Sequence, residues 1–364
     1  MQQTTCKGNR RVIGLDLFRI SLALLIFLFH SHIHSLRCDY GLLNGFVDIG
    51  AIAMTGFFLL SGYALNLVYG KKDMTDRKEM KRFYLKRLVS ILPLYYAWAI
   101  VNVVYNIVAN GKVAALQELI LFPVEALGIQ SVYSSLFEFS HNDGSWFISC
   151  ILICYFIYPL LHQQTCRLSD KARVWLIIIA AATLLWAPIV QHYFKLQSIY
   201  SNPFFRLLEF TIGMLVSQIN NKEQTGSKIM KLLRSKAMCA ATAVCLVVGV
   251  SVAYYIGIPY DYMLYNWIVL PCYMSLLISL GYIKFESLKD SRAVSYLSSL
   301  AFSIFLSQLI FVWDEVGNVL AYIGCDANIA KITLSAIACF IIANIFHYGV
   351  EKPATRFLKS RLHL

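Results

Sequence analysis

The residues with the most chemical potential stand close together near the start of the chain, in GLDLFRISLALLIFLFH, where Asp16, Arg19 and His30 sit among apolar neighbours. Arg19 and His30 are eleven residues apart. On a helix that spacing comes within about 20 degrees of three full turns, so both project from one face, about 16 Å apart along the axis. An imidazole takes up and releases a proton near neutral pH, a guanidinium holds negative charge, and a carboxylate orients a guanidinium. A long substrate lying along such a helix would touch both ends. The same residues also admit a plainer reading, in which Asp16 and Arg19 form a local i,i+3 ion pair, Arg19 snorkels, and His30 hydrogen-bonds a neighbouring helix. His30 and His34 have the i,i+4 spacing of two metal ligands. No HExxH segment or third ligand accompanies them, so no metal site is expected.

Two further groups of polar residues stand where apolar ones would be the default. Arg206 and Glu209 in NPFFRLLEF are three residues apart and make either a structural ion pair or the wall of a pocket. Trp146 fits an interfacial belt or the same pocket. The run KKDMTDRKEMKRFYLKR places Arg82, Lys86 and Arg87 in what is expected to be a basic cytoplasmic loop over 70–87, suited to anionic lipid or to a phosphate-rich ligand.

The elements that position these residues follow from composition. Of 364 residues, 58% are hydrophobic and 14% charged, against about 45–50% and about 25% in an ordinary soluble protein. The charges are clustered, and the stretches between them approach the ~20 residues of a membrane-crossing helix. This excludes a soluble globule and predicts an all-α, polytopic membrane bundle, a single domain over 1–364. Ten spans are expected, near 12–34, 46–69, 88–108, 144–162, 173–191, 203–219, 237–258, 262–283, 297–318 and 328–350. The stretch 114–129 is short and contains Glu118, Pro123 and Glu125, so it reads as an interfacial or re-entrant helix within an extracytoplasmic segment over 109–143.

Charge placement supports this count. With ten spans, 26 of the 32 Lys and Arg fall on one side, the cytoplasmic side by the positive-inside rule, with both termini there. The net charge of +12 is therefore read as topology rather than as nucleic-acid binding. Lys7, Arg10 and Arg11 ahead of an apolar run resemble a signal sequence, but the run is too long and lacks a small-x-small site, so it is expected to remain as the first helix. Ten scattered Cys without a CxxC pair indicate neither a zinc ribbon nor a disulfide framework.

Several segments, in order along the chain, resemble the family-3 acyltransferases. LDLFRISLALLIFLFH resembles that family's LDxxR and Arg-x10-His signature, with Arg19 and His30 at the matching positions, and FFLLSGYAL resembles its FF-x-x-SG segment. RLVSILPLYY matches the first Arg of an RxxR motif at Arg87, with Ser90 in place of the second. GSWFISCILICYFIYPLL resembles the Trp-to-Pro segment, with Ile151 and Leu152 where many relatives carry acidic residues. NPFFRLLEFTIGML resembles P-x-x-R-x-x-EF-x-x-G, and LAFSIFLSQLIF a late stretch in which Phe305 and Gln308 replace Tyr and His. VEKPATRFL fits the end of the pattern.

The resemblance implies an integral-membrane O-acyltransferase, bacterial and in the inner (plasma) membrane. It would move an acyl group, acetyl being expected, from cytosolic acyl-CoA to a hydroxyl of a surface glycan or lipid-linked sugar. His30 would be general base or transient acyl carrier. Arg19 would stabilise negative charge or position the donor, and Asp16 would orient Arg19. Arg87, Lys86 and Arg82 would bind the CoA phosphates, and Arg206, Glu209 and Trp146 would line an acceptor pocket. No tightly bound cofactor, metal or nucleic acid is implied. The competing reading is a glycan or small-molecule transporter without transfer chemistry, since intramembrane charges also mark substrate paths.

Overall fold

The computed structural model describes residues 11–132, 145–195, 199–221, 227–259, 261–308 and 310–364. Lys7 and Arg10, residues 133–144 of the expected outer segment and residues 222–226 of the 220–236 loop lie outside the described residues. Among the described residues the chain is helical, with no strand. The main helices are α1 (Ile13–Ile33), α2 (Ala53–Tyr69), α3 (Arg77–Ala126), α4 (Ser145–Cys166), α5 (Asp170–Phe194), α6 (Pro203–Asn220), α7 (Lys236–Tyr255), α8 (Asn266–Tyr282), α9 (Arg292–Ser307), α10 (Ile310–Tyr322) and α11 (Asn328–Phe346). A π-helical turn, His347–Glu351, leads into α12 (Lys352–Arg361).

Among the described residues, seven helical segments are long and apolar enough to cross a membrane, and an eighth is counted if the bent pair α9–α10 is one span. The protein is thus a multi-pass membrane helix bundle. Of the other expected spans, α8 has only 17 residues, and α6 carries Arg206 and Glu209. Each has one face packed inside the bundle, with Leu215, Met214, Val269 and Leu277 at 1% exposure or less.

The tightest helix pair explains two of the sequence motifs. At Gly62 on α2 a Cβ would stand 1.9 Å from the Phe210 carbonyl oxygen, and at Gly213 on α6 one would stand 1.9 Å from the Leu59 carbonyl oxygen. Small residues allow such backbone approach in a bilayer, where no hydrophobic force draws helices together. Asn66 Nδ2 then donates to Ser217 Oγ across the pair at 3.0 Å.

Two elements differ from their sequence expectation. The basic stretch over 70–87 is loop only as far as Asp76, whose side chain accepts from the Lys78 amide at 3.0 Å and caps α3. The rest is the first turns of α3. That helix spans 50 residues, but at Gly111 (φ 70, ψ −147) it breaks. The second arm folds back, so that Tyr95 and Tyr96 donate through Oη to the carbonyls of Glu125 and Ala126, both at 2.6 Å. The expected single span 297–318 is interrupted between α9 and α10, which meet at 79°, with Gln308 at the break (φ −86, ψ 56).

The loop after α1 is pinned to the start of α11. Asn328 Oδ1 accepts from the Asp39 amide at 2.8 Å, and Asn328 Nδ2 donates to the Asp39 carbonyl at 2.6 Å. Hydrogen bonds from the Gly41 amide and the Asn44 side chain hold the Asp39 carboxyl below its ordinary range.

Candidate active site along the first helix

One end of α1 carries a charge cluster. Asp16 accepts from Arg11 Nε, from Arg19 Nη1 at 3.4 Å and from Ser298 Oγ at 2.6 Å, and Arg19 Nη1 also donates to Ser298 Oγ at 3.0 Å. Asp16 is therefore placed to hold Arg19, while α9, which supplies Ser298, anchors both. At the other end of α1, the His30 ring lies 5.3 Å from that of His34 and 6.5 Å from that of Trp313. His34 stacks on Trp313 at 17°. Gln308 faces the His30 ring, yet His30 Nδ1, both polar side-chain atoms of Gln308 and Trp313 Nε1 are buried without a hydrogen-bond partner of normal geometry among the described residues. Unpaired polar atoms are costly in an interior. Their convergence at one place is what a site for a polar ligand group would show.

His32 is engaged elsewhere, with Nδ1 2.7 Å from the Cys38 carbonyl and Nε2 3.8 Å from Asp48. Among the described residues no three His, Cys, Asp or Glu side chains are grouped as metal ligands.

Beside Arg19 lies a cavity of about 360 Å³, lined by Arg19, Ser90, Tyr155, Ser298 and Glu351 and by Phe57, Phe147 and Phe305. Phe305 lies between Ser298 and Gln308 along α9, so the aromatic part of the wall is on the His30 side of Ser298. The lining comes from single faces of its helices: Phe57 and Ser61 on α2, Phe147, Ile151 and Tyr155 on α4, at i,i+4 spacing. Glu351 belongs to the π-helical turn and pairs with His347, Nδ1 to Oε2 at 2.6 Å. Such turns interrupt a helix at a cost and are frequent at functional sites.

Arg87 sits one turn before Ser90 on α3, with its guanidinium 5.7 Å from the Tyr69 ring and 5.9 Å from the Tyr155 ring. Its Nε is buried without a partner. Tyr155 thus links Arg87 to the cavity. Arg82 and Lys86 lie on the same helix toward its start, outside the cavity lining.

Arg206, Glu209 and Trp146 are brought together as well. Arg206 Nη1 donates to both Glu209 oxygens at 2.9 and 2.8 Å, Thr55 Oγ1 donates to Glu209 Oε1 at 2.8 Å, and Arg206 Nε donates to the Tyr200 carbonyl at 2.7 Å. The guanidinium lies under the rings of Tyr200, Trp146 and Phe58, at 4.6, 5.3 and 5.5 Å. Both charged side chains have 0% exposure and line none of the cavities described. In this conformation the trio is a closed network tying α6 to α2 and α4.

A family model described as an acyltransferase domain, that of acyltransferase family 3, matches residues 12–348. The chain belongs to that family. The match runs from the start of α1 to the π-helical turn, so it takes in both ends of the α1 site and nearly all of the cavity lining. The protein is a multi-pass membrane acyltransferase. Comparison with curated proteins and with solved structures returns no match. Sequence reasoning missed Ser298, Trp313 and Glu351 as parts of this acyltransferase's candidate site. Their only signal was polarity or an indole in an apolar helix, shared with many residues that do no chemistry. Gln308 and Ser90 had been visible as departures from the family pattern, and the structure places both beside the site.

Proposed function

We propose that the protein is an O-acyltransferase that takes an acyl group, acetyl in the first instance, from cytosolic acyl-CoA and passes it to a hydroxyl of an extracytoplasmic glycan or lipid-linked sugar. The observation that carries this reading is the cavity that Arg19 lines with polar groups and three phenylalanines, beside a helix that carries both Arg19 and His30 and reaches from one side of the bundle toward the other. Arg87 is the donor-side cation, with Lys86 and Arg82 adding positive field near the CoA phosphates. Arg19, held by Asp16 and Ser298, positions the pantetheine arm or the polarised thioester.

At the far end the His30 imidazole takes the proton of the acceptor hydroxyl. The oxygen attacks the thioester carbonyl, the carbon–sulfur bond breaks, and the imidazolium returns the proton to the departing CoA thiolate. Gln308 and Trp313 supply hydrogen bonds to the sugar. In this reading Arg206, Glu209 and Trp146 act as acceptor-side residues through the shape they hold, and contact with sugar requires the α4–α6 seam to open. Cytoplasmic acyl-CoA and the bilayer are the expected partners, and the bacterial inner membrane the expected location.

The test uses the full chain in vesicles, with acetyl-CoA labelled in the acetyl group on one side and glycan acceptor on the other. Label on the acceptor, released by mild alkali, is expected. Passage of intact glycan without label would instead favour a transporter.

A further inference from the structure

Phe57, Phe147 and Phe305 come from three helices and meet as one aromatic cluster in the cavity wall. Phe147 and Phe305 have ring centroids 5.2 Å apart, Phe57 and Phe147 6.1 Å, and Phe57 and Phe305 6.3 Å. These are contact separations for aromatic rings. All three line the cavity that Arg19 also lines. Their height follows from α9, which packs alongside α1: Ser298 is bonded to Arg19, and Gln308 faces His30. Phe305 lies seven residues beyond Ser298 and three before Gln308, so it stands about 10 Å from the Arg19 level and about 4.5 Å short of the His30 level.

A thioester entering from the Arg19 end therefore meets these rings one turn before it meets the imidazole. Two carbons need only a small parting of the rings. Each further methylene must displace a ring or press on His34 and Trp313, which pack beyond.

We propose that Phe57, Phe147 and Phe305 form a gate and length gauge that restricts the acyl group to the acetyl class, with Phe305 the residue that sets the limit. This rests on the acyl-CoA reading above. Phe305 is the setting residue because it alone of the three shares a helix face with Gln308 at i,i+3, so the space released by trimming it opens directly toward His30.

The test is competition binding to the full chain in lipid nanodiscs, in which labelled acetyl-CoA is displaced by unlabelled acetyl-, propionyl-, butyryl- and hexanoyl-CoA. In the wild type, affinity is expected to fall by about tenfold or more between acetyl-CoA and butyryl-CoA, a methylene in a closed apolar site being worth at least that factor. Phe305→Ala is expected to narrow the gap by about tenfold. Phe204→Ala, at a 56% exposed position at the start of α6 and outside the cavity lining, serves as the control and should keep the wild-type series. Equal displacement by all four esters from the wild type overturns the gauge while leaving acyl-CoA binding intact. So does a folded Phe305→Ala with an unchanged series. Should Phe305→Ala fail to insert, Phe305→Leu makes the same comparison, and the wild-type series decides without any variant. Failure of every CoA ester to bind removes the donor reading itself, and the gauge with it.

Discussion

At the scale of single residues, the demand on His30 is sharper than on any other side chain. It stands in a helix built from Leu, Ile, Phe and Ala, where packing has no need of an imidazole, and its Nδ1 has no hydrogen-bond partner of normal geometry among the described residues. His30→Gln keeps size and hydrogen-bonding capacity but cannot take a proton near neutrality. It is expected to insert normally, bind donor, and lose about 100-fold or more in transfer, as for a missing general base; near-normal transfer by an inserted variant would remove His30 from the mechanism. Arg87→Lys keeps the charge and its contribution to orientation but loses the forked contacts a phosphate uses. Its donor KM should rise while kcat changes little, and an unchanged KM would leave Arg87 with a topological role only. The Arg19–His30 pairing was legible from spacing alone because 3.6-residue periodicity fixes which side chains share a face. Ser298, Gln308 and Trp313 were not, since they reach α1 from nearly 300 residues away and local pattern carries no sign of that contact. The Arg206–Glu209 pair was legible as a pair, but its roof of three rings and its full exclusion from water depend on α2 and α4.

At the scale of elements, the α2–α6 seam deserves the strictest test because it holds up the cavity wall from behind. A methyl group on Gly62 would have to sit where the Phe210 carbonyl oxygen is, so the helices must separate. Gly62→Ala is expected to destabilise the protein by about 1–3 kcal/mol or more through overpacking, read as a lower midpoint of unfolding in detergent. Gly349→Ala, where a Cβ meets nothing within 4 Å, should leave that midpoint unchanged. If both variants behave alike, close approach at Gly62 is not what stabilises the seam. The existence of most helices was legible from apolar runs. Their interruptions were not: hydropathy reads composition, and the composition of 297–318 stays apolar straight through the break at Gln308. The extension of α3 down to Arg77 was missed for the opposite reason. A charged stretch between apolar runs reads as loop, although Lys, Arg and Glu are good helix formers and Asp76 is a good cap.

At the scale of the whole molecule, burial decides which helices look like spans. α5 and α7 face outward, with only 22% of their most apolar windows buried, and they are among the most apolar segments. The segment Gly50–Tyr69 is 72% buried and less apolar. α6 follows that trend further, since its neighbours enclose Arg206 and Glu209 completely and its sequence need not satisfy lipid on every side. An enclosed helix can therefore cross the bilayer while falling short of a composition threshold, and this is why ten spans remain our proposal beside the seven helices that qualify by length and apolarity alone. The charge count supports ten, because with that number the Lys and Arg of 70–87, 220–236 and the residues after Glu351 share a side. Three single-cysteine probes test it in a background whose ten native cysteines have been replaced by serine or alanine. Leu42→Cys, at a position 93% exposed beyond the His30 end of α1, is expected to react with an impermeant maleimide in intact cells. Ser227→Cys and Leu362→Cys are expected to react only after the membrane is opened. Reaction of either of the latter from outside would reverse or shorten the span count. It would also place the Arg87 end of the cavity on the side where acyl-CoA is absent, so the topology and the donor assignment stand or fall on the same labelling pattern.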